Sequence, residues 1–562
     1  MPARSAPRVR LPRALQRTGL ALGALLLAAL PGAPASAGAP VDYPAEDAGY
    51  HSYAEMRQEI QEVEAAHPGI VKVTSIGDSF EGRPIWIAKI SDNVADPVEP
   101  GEPEVLFDAL HHAREHLTPE MALFILHLLV DRYGEGSDLG RRVTDIVDGQ
   151  VTWIVFMLNP DGLVWDLSAP AAQRVYGPDG NRFYAGWRKN RQVFPGVNAK
   201  GVDLNRSWGY KWGCCGGSSG APSSLVYRGP ERWAAPETRA LRDFVESRKV
   251  DGRQRIKAHI TWHTTGEQIL WPYGYTYKDV PKDMTTLDHR TFVRMAKEMA
   301  ALNGYTPMQS SGLYVTDGDQ IDWLYARHRI FSFTFEMYPA ASAVGGTSRF
   351  YPPDELIDRE TKRNRDAVLY LLEHADCPYR AIGQAAQWCG PFFDDLEIDR
   401  GWRTNPDGTD TATAGAWRRG VPKTSPFQRT DAPTGQGALV TSLAKGVDVD
   451  GGRTTVRSPL FRVPENGTAT LRFRWWTGMD AAAGAQDGLT VRLVDESGAP
   501  IGDPLFVVSG DGTARLTGWR TAAVVLPAAA SGQRVAIQLE ARDAGDDATV
   551  ETGVDSVRVT IS

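Results

Sequence analysis

Four runs of the chain are apolar at almost every position: EVLFDAL (104–110), VTWIVFMLN (151–159), IKAHITWH (256–263) and IFSFTFE (330–336). Apolar runs of this length without alternation predict strands buried on both faces, which requires helices above and below a largely parallel sheet. The stretch YAEMRQEIQEVEAAHP (53–68) carries its apolar positions at helical spacing and predicts such a helix. From about 46 to 376 helix-like and strand-like segments alternate, the pattern of an α/β layered domain. Each of the four strands runs straight into polar or charged residues, HHARE, NPDG, HTTGE and EMYP. Ligands of open α/β sheets sit beyond the carboxyl ends of the strands, so these four ends predict one crevice.

After Cys389 the helical spacing stops. RTTVRSPLFRV, TATLRFRWW, LTVRLVDE, WRTAAVVLP, RVAIQLEA and VDSVRVTI follow at short intervals between Gly, Asp and Pro turns. Short strands at this spacing predict an all-β sandwich or jelly roll. The expected organisation is an α/β domain at 46–376, a connecting segment at 377–395 and a β-sandwich domain at 396–562. A chain of 562 residues exceeds what one hydrophobic core usually holds, which agrees with two domains.

The first 37 residues carry Arg4, Arg8, Arg10, Arg13 and Arg17, then LALGALLLAAL, then the small-residue site Ala35-Ser36-Ala37. This is the layout of an export signal, without the paired arginines of a twin-arginine route. A short segment, 38–45, follows it. The apolar run is too short to span a bilayer, and no later run is long enough, so the expectation is a secreted chain with no membrane partner. Loss of the signal moves the formal charge from -8 to -13, because five arginines and no acids are removed. An acidic chain without a basic block argues against nucleic acid as a partner. Cys214, Cys215, Cys377 and Cys389 suit two disulfides in an oxidising compartment. Cys377 with Cys389 closes a short loop and leaves a vicinal pair; alternatively the adjacent cysteines each reach the later ones. Neither spacing forms a Cys-x-x-Cys zinc clip.

The densest chemistry lies in FDALHHAREHLTPE (107–120), with His111, His112, Glu115 and His116. One reading takes His112 and Glu115, three apart where strand turns into helix, as two ligands of a catalytic zinc. The other takes His112-Ala-Arg-Glu115-His116 as an H-x-x-E-H motif in which the glutamate is the base. The second needs a further acidic ligand downstream, for which no clear candidate exists. The first needs a remote histidine at the same crevice, and His263 ends a strand there. In IFSFTFE, Phe331, Phe333 and Phe335 share one face, and Ser332, Thr334 and Glu336 share the other. A carboxylate at the end of so apolar a strand requires a charge or a cavity to face.

On these motifs the stretch 46–376 resembles the zinc metallocarboxypeptidases of the carboxypeptidase A type, most closely the secreted bacterial branch related to carboxypeptidase T. The resemblance implies one zinc ion on His112, Glu115 and His263, with Glu336 of F-T-F-E as general base. It implies Arg188 of GWRKNR as the arginine beside the metal, and Asn205 and Arg206 of GVDLNRSW as the grip on the substrate's terminal carboxylate. Tyr314, nine residues before Trp323, matches the mobile tyrosine. Arg114 matches a further substrate-contacting arginine, and Asp203 an aspartate that bonds the first zinc histidine. His111 and His116 receive no metal role. Asn205-Arg206-Ser207 also reads as a glycosylation sequon, a reading set aside because a glycan there would block the site.

The resemblance further places Ile321 deep in the pocket for the terminal side chain, which favours apolar or aromatic residues. Gly274 stands where the branch that trims basic residues carries an acid, and Asp319 nearby is a route to Lys or Arg as secondary substrates. Expected partners are therefore peptides or proteins with a free C-terminal carboxylate, acted on by a monomer. Many relatives carry an inhibitory prodomain; here family-like sequence begins within about ten residues of the expected cleavage site, so control by zymogen activation is not expected. In the β region Trp402, Trp417, Trp475 and Trp476 are a ligand platform or, more in keeping with their type, core. Asp448-Val-Asp450 is a calcium loop or an ordinary turn. Two other functions remain open: a peptidoglycan stem-peptide carboxypeptidase, and a non-catalytic peptide-binding relative, which would normally have lost Glu336 or a ligand.

Overall fold

The computed structural model describes residues 41–95, 102–174, 183–250, 253–342, 347–422, 426–544 and 548–562. The expected export signal lies outside them. Among the described residues no helix is long and apolar enough to cross a membrane.

An eight-stranded sheet organises the first part of the chain. Its strands are β1 (Val71–Asp78), β2 (Pro84–Ile90), β3 (Glu104–Ala109), β4 (Val151–Val155), β5 (Ile256–Gly266), β6 (Gln268–Trp271), β7 (Thr306–Gln309) and β8 (Phe331–Ala340). The spatial order is β1-β2-β4-β3-β5-β8-β6-β7. The four strands read as apolar runs form its centre, β4-β3-β5-β8, and pair parallel throughout. β1, β2 and the junction of β8 with β6 are antiparallel. The fold is thus α/β with a mixed, largely parallel sheet, as expected. VTWIVFMLN leaves the ladder after Val155; Asn159 then accepts the N–H of Gly162 and caps the helix Pro160–Ser168, with Pro160 at its first position.

The helices that cover the sheet are α1 (Tyr53–Ala66), α2 (Leu117–Arg132), α3 (Asp138–Gly149), α4 (Pro160–Ser168), α5 (Pro236–Ser247), α6 (Thr286–Asn303), α7 (Gln320–His328) and α8 (Arg365–His374). α1 starts on a Ser52–Glu55 capping box, buries Met56 and Ile60, and ends before Pro68, which disfavours helix at His67. Alternate residues of the central strands divide between two layers. Val105, Phe107, Ala258, Ile260, Trp262, Phe333 and Phe335 pack with α2, α6 and α8 in one apolar cluster. The opposite set is polar: Asp108, His259, Thr261, His263 and Ser332 are all buried. Burying polar groups at this density requires partners, and the sheet supplies them within itself. His259 bonds Ser332 Oγ at 2.5 Å and Asp108 at 2.8 Å.

Beyond this layer, two antiparallel sheets of seven and six strands face each other across a second core. Leu471, Phe473 and Trp475 of the strand Ala469–Met479 meet Leu489, Val491 and Leu493 of Gly488–Asp495 in that core. Phe392–Asp394 already pairs with the strand Val550–Ile561. Trp417, Trp475 and Trp476 are buried, and Trp402 donates to Asp394 at 2.8 Å, so these tryptophans serve packing. Asp448 accepts the N–H of Val550 at 3.1 Å, a contact to a strand distant in sequence. The disulfides are Cys214–Cys215 and Cys377–Cys389, the first of the two pairings anticipated.

Candidate metal centre and substrate cavity

β3 ends at Ala109, and Leu110, at φ 56°, turns the chain out of the strand. Thr118 holds this turn closed: its hydroxyl donates to Glu115 O at 2.8 Å and accepts the N–H of Leu110 at 3.0 Å. The turn brings His112 and Glu115 to one point, and β5 delivers His263 to the same point.

His112 Nε2 lies 3.0 Å from Asp203 Oδ1. With its proton on that side, His112 turns an unprotonated Nδ1 towards Glu115 Oε1 at 2.8 Å and His263 Nδ1 at 3.2 Å. Glu115 Oε2 and His263 Nδ1 are 3.0 Å apart. Lone pairs of two imidazoles and a carboxylate therefore converge, one donor atom from each residue within 4.8 Å of the others. Zinc bonds of about 2.0–2.1 Å separate tetrahedral donors by roughly 3.3 Å, so edges of 2.8–3.2 Å fit a zinc ion in donor type and in size. Among the described residues this is the one such group of histidines, cysteines and acids.

Asp203 joins the cluster to a guanidinium. Its Oδ1 also accepts the N–H of Asn205 at 2.9 Å, and its Oδ2 accepts Arg188 Nε and Nη2 at 3.1 and 3.0 Å. Burial works against its charge, but Arg188 and His112 outweigh burial and hold the carboxyl well below the ordinary range. Glu115 is held low in the same way by His112 and His263. Arg188 Nη1 reaches 4.0 Å from Glu115 Oε1.

Glu336 stands directly opposite His263 in the parallel ladder of β5 and β8. Burial first, and then the charge of Glu115, push its carboxyl up to about 8. A cavity of about 220 Å³ opens over it, lined by His112, Glu115 and His263 and by four arginines, Arg114, Arg188, Arg206 and Arg349. Arg206 is buried and fixed by donating to Gly217 O at 3.1 Å and Asn205 O at 2.6 Å. Asn205 Oδ1 accepts the N–H of Gln320 at the start of α7, 2.9 Å away. Tyr314 is 48% exposed at the rim, its ring centroid 5.9 Å from the Arg206 guanidinium carbon. Arg114 lies over the ring of Phe350 at 4.1 Å.

Of the expected site residues the structure brings His112, Glu115, His263, Glu336, Arg188, Asn205, Arg206, Tyr314 and Arg114 to this cavity, with Asp203 behind it. Ile321 is buried in α7 and is not among the residues that line this cavity. Asp319 is, together with Ser310, Thr316, Leu270 and Leu313. Asp319 is the N-cap of α7, its side chain accepting the N–H of Asp322. Arg349, Gln268 and Ser310 were not anticipated, since none stands in a motif or at the end of a recognisable strand. His116 bonds Asp166 at 3.0 Å among Tyr43, Tyr184 and Tyr351, away from the metal donors. His111 lies between Asp108 and the His263 ring, 3.4 Å from the first and 5.2 Å from the second.

Comparison with known proteins bears on the same residues. Residues 56–367 match the family model Peptidase_M14, described as zinc carboxypeptidase. A zinc carboxypeptidase of Saccharothrix mutabilis subsp. capreolus is 43% identical over 343 residues, 61% of this chain and 73% of its own length. Carboxypeptidase A2 of Mus musculus is 31% identical over 291 residues, 51% of this chain and 62% of its own length, less than two thirds. Carboxypeptidase B of Rattus norvegicus is 29% identical over 330 residues, 58% of this chain and 70% of its own length. The β-rich region lies beyond the residues that the family model matches. The family match spans more than half of the chain and takes in the whole metal centre, and on it the chain belongs to the zinc carboxypeptidases of the Peptidase M14 family.

Proposed function

We propose that the enzyme hydrolyses the C-terminal peptide bond of peptides and proteins, with zinc on His112, Glu115 and His263. The observation that carries this reading is the convergence of three buried donors, with Glu336 opposite one of them and fixed guanidinium groups around the same cavity. Bound zinc supplies a Lewis acid that polarises the scissile carbonyl and lowers the pKa of a water. Glu336 takes the proton of the attacking water and hands it to the leaving amine. Arg188, pinned by Asp203, meets the negative charge that develops on the carbonyl oxygen. Arg206 binds the substrate's terminal carboxylate through charge-assisted bonds, with Asn205 and Tyr314 beside it and Arg114 further along the bound chain. A grip on a free carboxylate is what restricts cleavage to the last residue.

For the side chain of that residue we propose a mixed preference. Leu270 and Leu313 offer apolar contact, while Asp319, Thr316 and Ser310 make the remainder of the cavity polar. Asp319 is buried, with Thr316 donating to one carboxyl oxygen and the N–H of Asp322 donating to the other at 3.0 Å. Apolar and aromatic residues are therefore released, and Lys or Arg reach Asp319. The test is kcat/KM on peptides ending in Phe, Leu, Lys and Arg for wild type and Asp319→Ala. The variant loses about tenfold to a hundredfold on Lys and Arg relative to Phe, the size of one charge-assisted contact. Equal loss on all four peptides would sink the assignment. We also read residues 1–37 as an export signal, residues 46–376 as the catalytic domain and residues 396–562 as an accessory domain. Two disulfides support passage through an oxidising compartment.

A further inference from the structure

The outer face of the seven-stranded sheet carries three arginines at neighbouring positions. Arg472 and Arg474 are two apart on the strand Ala469–Met479 and so share a face. Arg558 of Val550–Ile561 stands directly opposite Arg472 in the ladder. Like charges in register across a pair of strands destabilise it, and a carboxylate at any of these positions would have relieved the repulsion. Instead the three line a cavity of about 220 Å³ with no acid among its described lining residues. Nε of Arg474 and of Arg558 is buried without a hydrogen-bond partner.

The rest of the cavity is suited to an oxyanion. Thr434 and Ser556 present hydroxyls, bonded to each other at 3.0 Å, and Trp388 closes one side with the Arg558 guanidinium carbon 4.8 Å from its ring centroid. The sheet is deformed at this place. The ladder between Ala469–Met479 and Val550–Ile561 slips by one residue beside Arg472 and Arg474, and Ser556 takes φ 52°, a strained value for a non-glycine residue. Asp555, opposite Arg474 in the ladder, has its carboxylate occupied by the N–H and hydroxyl of Thr434 and the N–H of Ser556. Burial, Arg472 and Arg474 together lower the Arg558 guanidinium from its ordinary value, as expected where cations face cations only. This face is remote in sequence from the zinc carboxypeptidase match, which ends at residue 367.

We propose that Arg472, Arg474 and Arg558 form a binding site for a phosphate group, with the Ser556 hydroxyl beside them and Trp388 as a wall for the moiety that carries it. Three forked guanidiniums match the several oxygens and the double charge of a phosphate better than the two oxygens of a carboxylate. The group belongs either to a free phosphate or to a phosphate-bearing polymer. Calorimetric titration of the zinc-loaded full chain with inorganic phosphate, at constant ionic strength, gives one saturable site outside the catalytic cavity. Arg474→Ala weakens it at least tenfold, and Arg472→Ala with Arg558→Ala abolishes it, while peptide hydrolysis stays within twofold. The double variant also melts no lower than wild type, because a like-charge pair is removed, and this separates loss of the site from loss of the fold. Titration with long-chain polyphosphate then decides the source: tighter binding per site than inorganic phosphate supports the site and assigns it to a polymer, and equal binding supports it and assigns it to the free ion. Saturable binding that survives in the double variant, or its absence in wild type with both probes, overturns the proposal.

Discussion

Two charge clusters, one in each β-containing region of this chain, are balanced in opposite ways. At the carboxyl ends of the parallel strands, opposite charges are brought together: Asp203 with Arg188 and His112, and Glu115 with both metal-facing histidines. Their carboxyls are held below the ordinary range although fully enclosed. In the β-rich region Glu551 and Asp555 are buried away from cations, and burial pushes each up to about 8. Three of its arginines, Arg472, Arg474 and Arg558, line a cavity on the outer face with no acid among its described lining residues. The first arrangement is complete apart from a metal and a substrate, since its charges answer one another. The second is unbalanced as it stands, which is why an external anion is the natural complement of the arginine cluster.

The comparison is broken most directly at Glu336. Glu336→Gln keeps the shape and the zinc donors but removes the proton acceptor, so peptide hydrolysis falls by about three orders of magnitude or more while zinc content per chain is unchanged. Loss of zinc together with activity would move Glu336 from catalysis to metal binding. A smaller effect follows from Asp203, through which the histidine and arginine communicate. Asp203→Asn retains size but weakens the orientation of His112 and Arg188, and zinc affinity drops about tenfold to a hundredfold. Competition with a chelator measures this; unchanged affinity would mean that His112 needs no partner behind it. His116→Ala is the internal control, because His116 bonds Asp166 outside the donor set and its loss leaves zinc bound.

What could be read from the chain beforehand follows the same division. The four central strands were visible because a strand covered on both faces must be apolar at nearly every position. β6 and β7, only four residues each, leave no periodicity to detect, and β1 and β2 look like ordinary amphipathic segments until they pair. Site residues at strand ends, such as His263 and Glu336, were legible for that reason, and the turn holding His112 and Glu115 because two ligands lie three residues apart. The rest of the cavity lining was less so: Asp319 lines it as the N-cap of α7, and the phase of that first turn is not set by sequence spacing. The arginine cluster was equally hidden, because Arg558 joins Arg472 and Arg474 only through a ladder with a one-residue slip.

The smallest effect concerns stability rather than rate, and it tests the unpaired side of the comparison. Glu551 is 1% exposed, and its carboxyl meets only neutral partners, Gln428 and a long bond from Thr441 at 3.5 Å. Its folded-state value of about 8 lies above the ordinary 4.5, so the folded chain binds the proton more tightly than the unfolded one. The sign follows from linkage: the contribution is fully present below about pH 4.5 and is lost progressively as pH rises through about 8. Glu551→Gln cannot ionise and escapes that loss. Relaxation and water entry around the charged form hold the realised difference to roughly 1 kcal/mol, about 1–2 °C in a chain of this size. The variant therefore melts close to wild type at pH 5 and about 1–2 °C above it at pH 8.5, with the gap opening between. Melting curves that stay parallel across this range would mean that Glu551 has a counter-charge after all, and the contrast between the two regions would not hold at that residue.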